Sequence, residues 1–158
     1  MESFERIEAK AKKCAVQFER EIKCKIYSLD NEKTLVVTEM QDDYHKIKMA
    51  FMTDSSYIIL DIAASMEKVP FGSCRNALPS LERLAGTGVY EGGVLKKIHQ
   101  LIPKNEGCTH LYEMLESSFQ ALFAASQKKS GAAAVKESRD IVKKIPSLEG
   151  TCISFKHF

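Results

Sequence analysis

Between Ile22 and Ala63 the chain repeats one pattern four times, a short stretch in which apolar and polar residues alternate, bounded by polar turn residues. Ile22, Cys24 and Ile26 alternate, Leu29-Asp30-Asn31-Glu32 is turn material, and Leu35-Val36-Val37-Thr38 is rich in β-branched side chains. Gln41-Asp42-Asp43 marks a second turn before the alternating run from Ile47 to Met52, and Thr53-Asp54-Ser55-Ser56 a third before Tyr57 to Ala63. A period of two puts the apolar side chains of a strand on one face, and turns this short join antiparallel neighbours. The pattern predicts an antiparallel strand meander with one face that needs a cover.

The rest of the chain supplies that cover, because from Cys74 onward the period changes to that of a helix. Ala77, Leu78, Leu81, Leu84 and Ala85 form one stripe, stopped by Gly86 and Gly88. Val94, Ile98, Leu101 and Ile102 form a second, ended by Pro103, and Leu111, Met114, Leu115, Phe119, Leu122 and Phe123 a third and longer one. Lys128-Lys129-Ser130-Gly131 breaks the third helix, and a last helix is expected from Ala132 to Lys144, before Pro146. Residues 4–18 fit both periods and are read as a short helix followed by a strand. Strands first and helices after them describe an α+β fold, with helices packed on one face of the sheet. The expected organisation is one domain over residues 1–158, with an N-terminal helix or strand extension at 1–20, the meander at 21–65, helices at 74–145 and a tail at 146–158.

A chain of 158 residues, 44% of them hydrophobic, can bury a core without staples. Its 23 basic and 21 acidic residues are interspersed and leave a formal charge of +2, which gives no reason to expect nucleic acid or an anionic membrane as partner. No apolar run is long enough to span a bilayer, and Met1-Glu2-Ser3-Phe4-Glu5 is acidic where a signal peptide would be basic, so a cytoplasmic location is expected. Cys14, Cys24, Cys74, Cys108 and Cys152 are an odd and widely spaced set, which argues against a disulfide framework. A protein partner or a second copy of the chain would meet the N-terminal helix or the tail.

Three places combine metal-type donors with the ends of predicted elements. Asp43 and His45 stand two apart at the turn between the second and third strands, where an extended chain points them the same way. Cys74 follows Pro70-Phe71-Gly72-Ser73 at the start of the first covering helix. Gly107-Cys108-Thr109-His110-Leu111 opens the long helix, where free N–H groups and the dipole favour a thiolate, and Glu113 follows His110 on the same face. Thiol, imidazole and carboxylate together suit zinc or iron. Taken singly, each has an ordinary structural role: a free cysteine is usually a small buried hydrophobe, and aspartates and histidine are common in turns. Neither a C-x-x-C nor an H-E-x-x-H motif occurs, and the glycines from Gly86 to Gly93 lack the lysine of a phosphate-binding loop.

The combination of Asp42-Asp43-Tyr44-His45, Pro70-Phe71-Gly72-Ser73-Cys74, Leu84 to Gly86 and Gly107-Cys108-Thr109-His110-Leu111 resembles an uncharacterised bacterial domain family with a Cys-Thr-His signature. The resemblance covers roughly residues 20–125, and the role of that family is not established. The chain is more remotely similar to the iron–sulfur scaffold proteins of the NifU and IscU type. These run a strand meander into helices and place ligands at a strand turn, at a helix start and before a long C-terminal helix. The likeness implies Asp43 with His45, Cys74, and Cys108 with His110 at those places. It departs from the scaffolds in having no cysteine at the strand turn, which leaves a cluster only two thiols.

The reading of the sequence is a metal-binding protein, with zinc or iron held from the pool Asp43, His45, Cys74, Cys108 and His110. Two other classes compete with it. One is a metal-free ligand-binding or protein-interaction module lined by the same residues, and the other a redox element in which Cys74 and Cys108 form a reversible disulfide. Hydrolysis at the metal with Glu113 as a base is compatible with the first, but nothing in the sequence selects a substrate or a reaction.

Overall fold

A computed structural model describes residues 2–30, 32–129 and 143. Strands β1 (Arg20–Ser28), β2 (Thr34–Asp42), β3 (Lys46–Thr53) and β4 (Ile59–Lys68) form one antiparallel sheet in sequence order. A short helix α1 (Phe4–Ala11) precedes the sheet. A 3₁₀ helix (Gly72–Leu84) and helices α2 (Val94–Leu101) and α3 (Thr109–Lys129) follow it. This is the α+β arrangement expected from the two hydrophobic periods. The last helix expected at 132–144 and the tail at 146–158 lie, apart from residue 143, outside the described residues.

The alternation of the strands translates directly into the core. Val36, Thr38 and Met40 of β2 and Ile47, Met49 and Phe51 of β3 point inward and are buried. α3 lies over β1 and β2, and the 3₁₀ helix lies against β4. Met114, Leu115, Phe119 and Leu122 of α3 and Ala77, Leu81 and Leu84 of the 3₁₀ helix close the core from that side. The rings of Phe51 and Phe119 meet edge to face at 5.8 Å. Each such side chain removed from water contributes on the order of 2 kcal/mol, so the covering helices are held mainly by this apolar face.

Register shifts mark both ends of the β3–β4 pairing. Met52 pairs with Asp61 while Thr53 pairs with Ile59, so Leu60 is skipped. The bulge lets Ile59 and Ile62 both face the core although they are three residues apart.

Three expectations change. The strand anticipated around Cys14, Val16 and Phe18 does not form: residues 15–19 have no regular structure, and Val16 is exposed. The β1–β2 pairing ends at Arg20 opposite Asp42, and upstream residues have no neighbouring strand to bond. The first covering helix winds as a 3₁₀ helix, because Pro79 inside it has no N–H to donate and its ring crowds the carbonyl four residues earlier. Finally, residues 42–45 are a tight turn, so the parity that would align Asp43 with His45 does not apply there.

Candidate functional site

The turn between β2 and β3 is built around Asp42. Its Oδ1 accepts from the backbone N–H of Tyr44 at 2.8 Å and of His45 at 2.7 Å, while its own N–H donates to the carbonyl of His45 at 3.0 Å. This is the local side-chain bonding that makes aspartate a turn residue. The same carboxylate takes the ring of His45, whose Nδ1 lies 2.9 Å from Oδ1 and 3.1 Å from Oδ2. The turn thus places an imidazole against the core and fixes which of its nitrogens faces the acid. Asp43 is exposed, and its carbonyl accepts from Lys68 Nζ. The acid that meets His45 is therefore Asp42, three residues away, and Asp43 stays outside the cluster.

α3 supplies the facing groups. The Cys108 carbonyl, just before the first residue of α3, accepts from the N–H of Tyr112 at 3.1 Å; His110 follows on the first turn and Glu113 three residues later on the same face. Gly107 is required just before them: a Cβ there would run into the Tyr112 ring and hydroxyl and the Ile102 side chain. Tyr112 cannot yield easily, since its hydroxyl donates to the Ile102 carbonyl. The rings of His45 and His110 stand 3.9 Å apart, and Cys108 Sγ lies 3.8 Å from His110 Nδ1.

Arg20, the first residue of β1, joins the two sides. Its Nε donates to Asp42 Oδ2 at 2.8 Å and its Nη1 to Glu113 Oε2 at 3.0 Å, and its Nη2 lies 3.2 Å from His110 Nε2. The Phe18 ring lies beneath the guanidinium, 5.5 Å from its carbon. The sequence does not single out Arg20, because arginine is no metal ligand and no motif surrounds it. The one signal for it is its place opposite Asp42 at the end of the β1–β2 pairing, which only the register reveals.

The electrostatics follow from these contacts. Burial alone would push the Asp42 carboxyl up, but hydrogen bonds from Tyr44, the His45 ring, Arg20 and the His45 N–H together hold it well below the usual carboxylate range. Burial, reinforced by His45 and Arg20, holds the His110 imidazole below its usual range, against the opposing pull of Glu113 and Asp42. His45 is 6% exposed, and its Nε2 has no hydrogen-bond partner among the described residues. A buried ring nitrogen left this way costs on the order of 1–3 kcal/mol unless something else meets it.

Cys108 opens onto a cavity of about 580 Å³ that Cys74 also lines, with Ser73, Asn76, Ser80 and Arg83 among the other walls. The third expected donor group therefore reaches the same cavity as the second. Cys14 is exposed, and Cys24 sits under Thr38, whose hydroxyl lies 3.5 Å from its sulfur. Among the described residues, no three His, Cys, Asp or Glu side chains stand together as a group that could hold a metal ion in the arrangement seen. No helix among them is long and apolar enough to cross a membrane.

Residues 18–124 match the model of a protein family described as "Protein of unknown function (DUF2889)". No curated protein and no solved structure matches the chain.

Proposed function

We propose that this chain, which belongs to the DUF2889 family of unknown function, binds a transition metal ion, zinc or iron, at the corner where the β2–β3 turn meets the start of α3. The donor pool is His45, Cys108, His110 and Cys74. The observation that carries this reading is the His45 ring, buried, held at Nδ1 by the Asp42 carboxylate and, among the described residues, left without a partner at Nε2. Metal-bound histidines are commonly held in this way, with a carboxylate on the far nitrogen fixing the tautomer and the near one facing the ion.

Two further features support the reading. The 3.8 Å between Cys108 Sγ and His110 Nδ1 is close to the roughly 3.5 Å that the bond lengths of a tetrahedral zinc site put between a sulfur and a nitrogen ligand. The order of the donors, strand turn, helix start and long-helix start, is the order implied by the likeness to the NifU and IscU scaffolds. Within that order Asp42 orients His45 and does not serve as a ligand, because hydrogen bonds already claim both of its oxygens. A zinc or iron ion at this corner would supply Lewis acidity beside the open cavity. Metal analysis of protein purified anaerobically, with Cys108→Ala beside it, tests the reading. About one zinc or iron per chain, reduced at least tenfold in the variant, is the expected result. Wild type free of both metals with its thiols reduced would reject it.

A second reading rests on the cavity shared by Cys74 and Cys108. The two thiols would there form a reversible disulfide or hold a small ligand without a metal. Mild oxidation followed by peptide mass spectrometry separates the two. A Cys74–Cys108 linked peptide in metal-free protein favours the thiol reading, and its absence removes the redox form.

A further inference from the structure

The covered face of the sheet is closed unevenly. Ile22, Cys24 and Ile26 of β1 face the same side as their cross-strand partners Met40, Thr38 and Val36. Those partners are at most 1% exposed, whereas the three β1 side chains are only half-buried. The difference comes from where α3 lies. Glu113, Ser117, Ala121 and Ala125 stand four apart and form one row along it. The ends of that row sit at the two ends of β1, with Glu113 on Arg20 and Ala125 in a cavity of about 170 Å³ shared with Ile26 and Ser28. All four residues of the row are half-buried as well. A trough therefore runs between β1 and α3, with Ile22, Cys24 and Ile26 as its floor and mostly small side chains as its wall. Among the described residues β1 makes its main contacts with β2 and α3, and no third element packs comparably against it.

The chain itself carries a segment that fits this trough. α3 ends at Lys129, about one turn beyond Ala125 and so at the Ile26 end of the trough. Gly131 follows, and two antiparallel helices need a connection of only about 2–8 residues. Ala134, Val135, Ser138, Ile141, Val142 and Ile145 then recur at helical spacing within an arc of about 120°, and the charged residues from Lys136 to Lys144 fill the rest of the circle. Lys143 is helical and exposed, as a place on the charged side requires. As a helix, residues 134–145 would span about 18 Å, against about 14 Å for the floor from Ile26 to Ile22. A turn at Gly131 lays the segment back along α3, over the whole floor.

We propose that the trough between β1 and α3 is a docking surface and that its occupant is residues 134–145 of the same chain, with Val135, Ile141, Val142 and Ile145 set against Ile22, Cys24 and Ile26. Such docking does not depend on what the corner at Arg20 binds. It completes the cover of the sheet at its β1 edge, where the described helices leave the apolar side chains half in water.

Cys24 on the trough floor reports on the occupant. In the full-length chain, Ile141→Asp should speed alkylation of Cys24 by iodoacetamide about tenfold or more over wild type, because the cover then opens locally. Cys14, which is exposed, should react alike in both and serves as the control. Equal Cys24 rates overturn the proposal. Val142→Cys identifies which chain supplies the cover, since a return at Gly131 brings position 142 level with Ser118 and Phe119, and Ser118 meets Thr38, the partner of Cys24. After mild oxidation, peptide mass spectrometry should find Cys24 joined to position 142 within one chain. The same link between two chains assigns the trough to a second copy and overturns the proposal. Should a variant fail to fold, methyl NMR of wild type decides. Contacts of Ile22 or Ile26 with Ile141 or Ile145 support the docking, and their absence from assigned spectra overturns it.

Discussion

Two polar contacts bridge the sheet and α3, and they are finished to different degrees. Near the middle of the helix, Thr38 and Ser118 are both fully buried, and their hydroxyls lie 2.6 Å apart. Ser118 donates to the Met114 carbonyl at 2.6 Å, which leaves its oxygen to accept from Thr38. Every strong donor of that pair is used inside the core, and nothing is left to offer a ligand. At the start of the helix, Arg20, Asp42, His45, His110 and Glu113 form a larger network, yet among the described residues nothing meets His45 Nε2. The same packing problem is closed in one place and left with spare valence in the other. A buried ring nitrogen with spare valence, against His110, is what separates a candidate site from a structural hydrogen bond.

Three measurements sharpen or break this contrast. The largest effect belongs to Asp42→Ala, which deprives Arg20, the His45 ring and two backbone N–H groups of their common acceptor. Urea unfolding should show a loss of about 3–5 kcal/mol, the scale for removing one partner of a buried charge network. A loss under 1 kcal/mol would mean the corner is no more built than the surface. Because the folded carboxyl lies below its unfolded value of about 3.9, its contribution is present above that pH and is lost as pH falls further. That acid-side loss should be missing from the variant.

The closed pair should respond more weakly and non-additively. Thr38→Val leaves Ser118 its bond to the Met114 carbonyl but removes the hydroxyl it accepts from, and Ser118→Ala leaves Thr38 only the Cys24 sulfur, so each should cost about 1 kcal/mol, whereas the double variant should cost clearly less than the sum. Strict additivity would show that the two hydroxyls are not a pair. The smallest effect is the contribution of His110 to the pH dependence. Its folded imidazole titrates below the unfolded value of about 6.5, so it adds stability above that pH that fades as pH falls through the folded value. In His110→Asn the urea midpoint should change less between pH 6.5 and 5 than in wild type. An identical slope would mean the ring titrates as freely folded as unfolded.

The sheet and the corner differ in how far residues alone reveal them. The meander was legible because an alternating pattern with polar turns leaves one arrangement for neighbouring strands, and Ile22–Ile26 and Ile47–Met52 fall where it puts them. Cys108, His110 and Glu113 were legible as a group because the helix start holds the first two together and the three-residue spacing sets Glu113 on the same face as His110. Strand parity points from Asp43 to His45, but it does not carry into a turn, where Asp42 folds back on the N–H groups of Tyr44 and His45 and takes the ring. Arg20 was missed since its partners, Asp42, His110 and Glu113, are distant in sequence and only strand register and helix docking bring them to it. Pro79 was the visible sign that the first covering helix would not be an α-helix, and the apolar stripe from Ala77 to Leu84 masked it.

The central claim is that His45, His110 and the cavity thiols act on one ion. X-ray absorption at the zinc edge of protein loaded with one equivalent of zinc tests it most directly. The expected result is sulfur at about 2.3 Å and nitrogen at about 2.0 Å from the zinc, with sulfur lost in Cys108→Ala. A shell of oxygen and nitrogen alone, unchanged by Cys108→Ala, would contradict it.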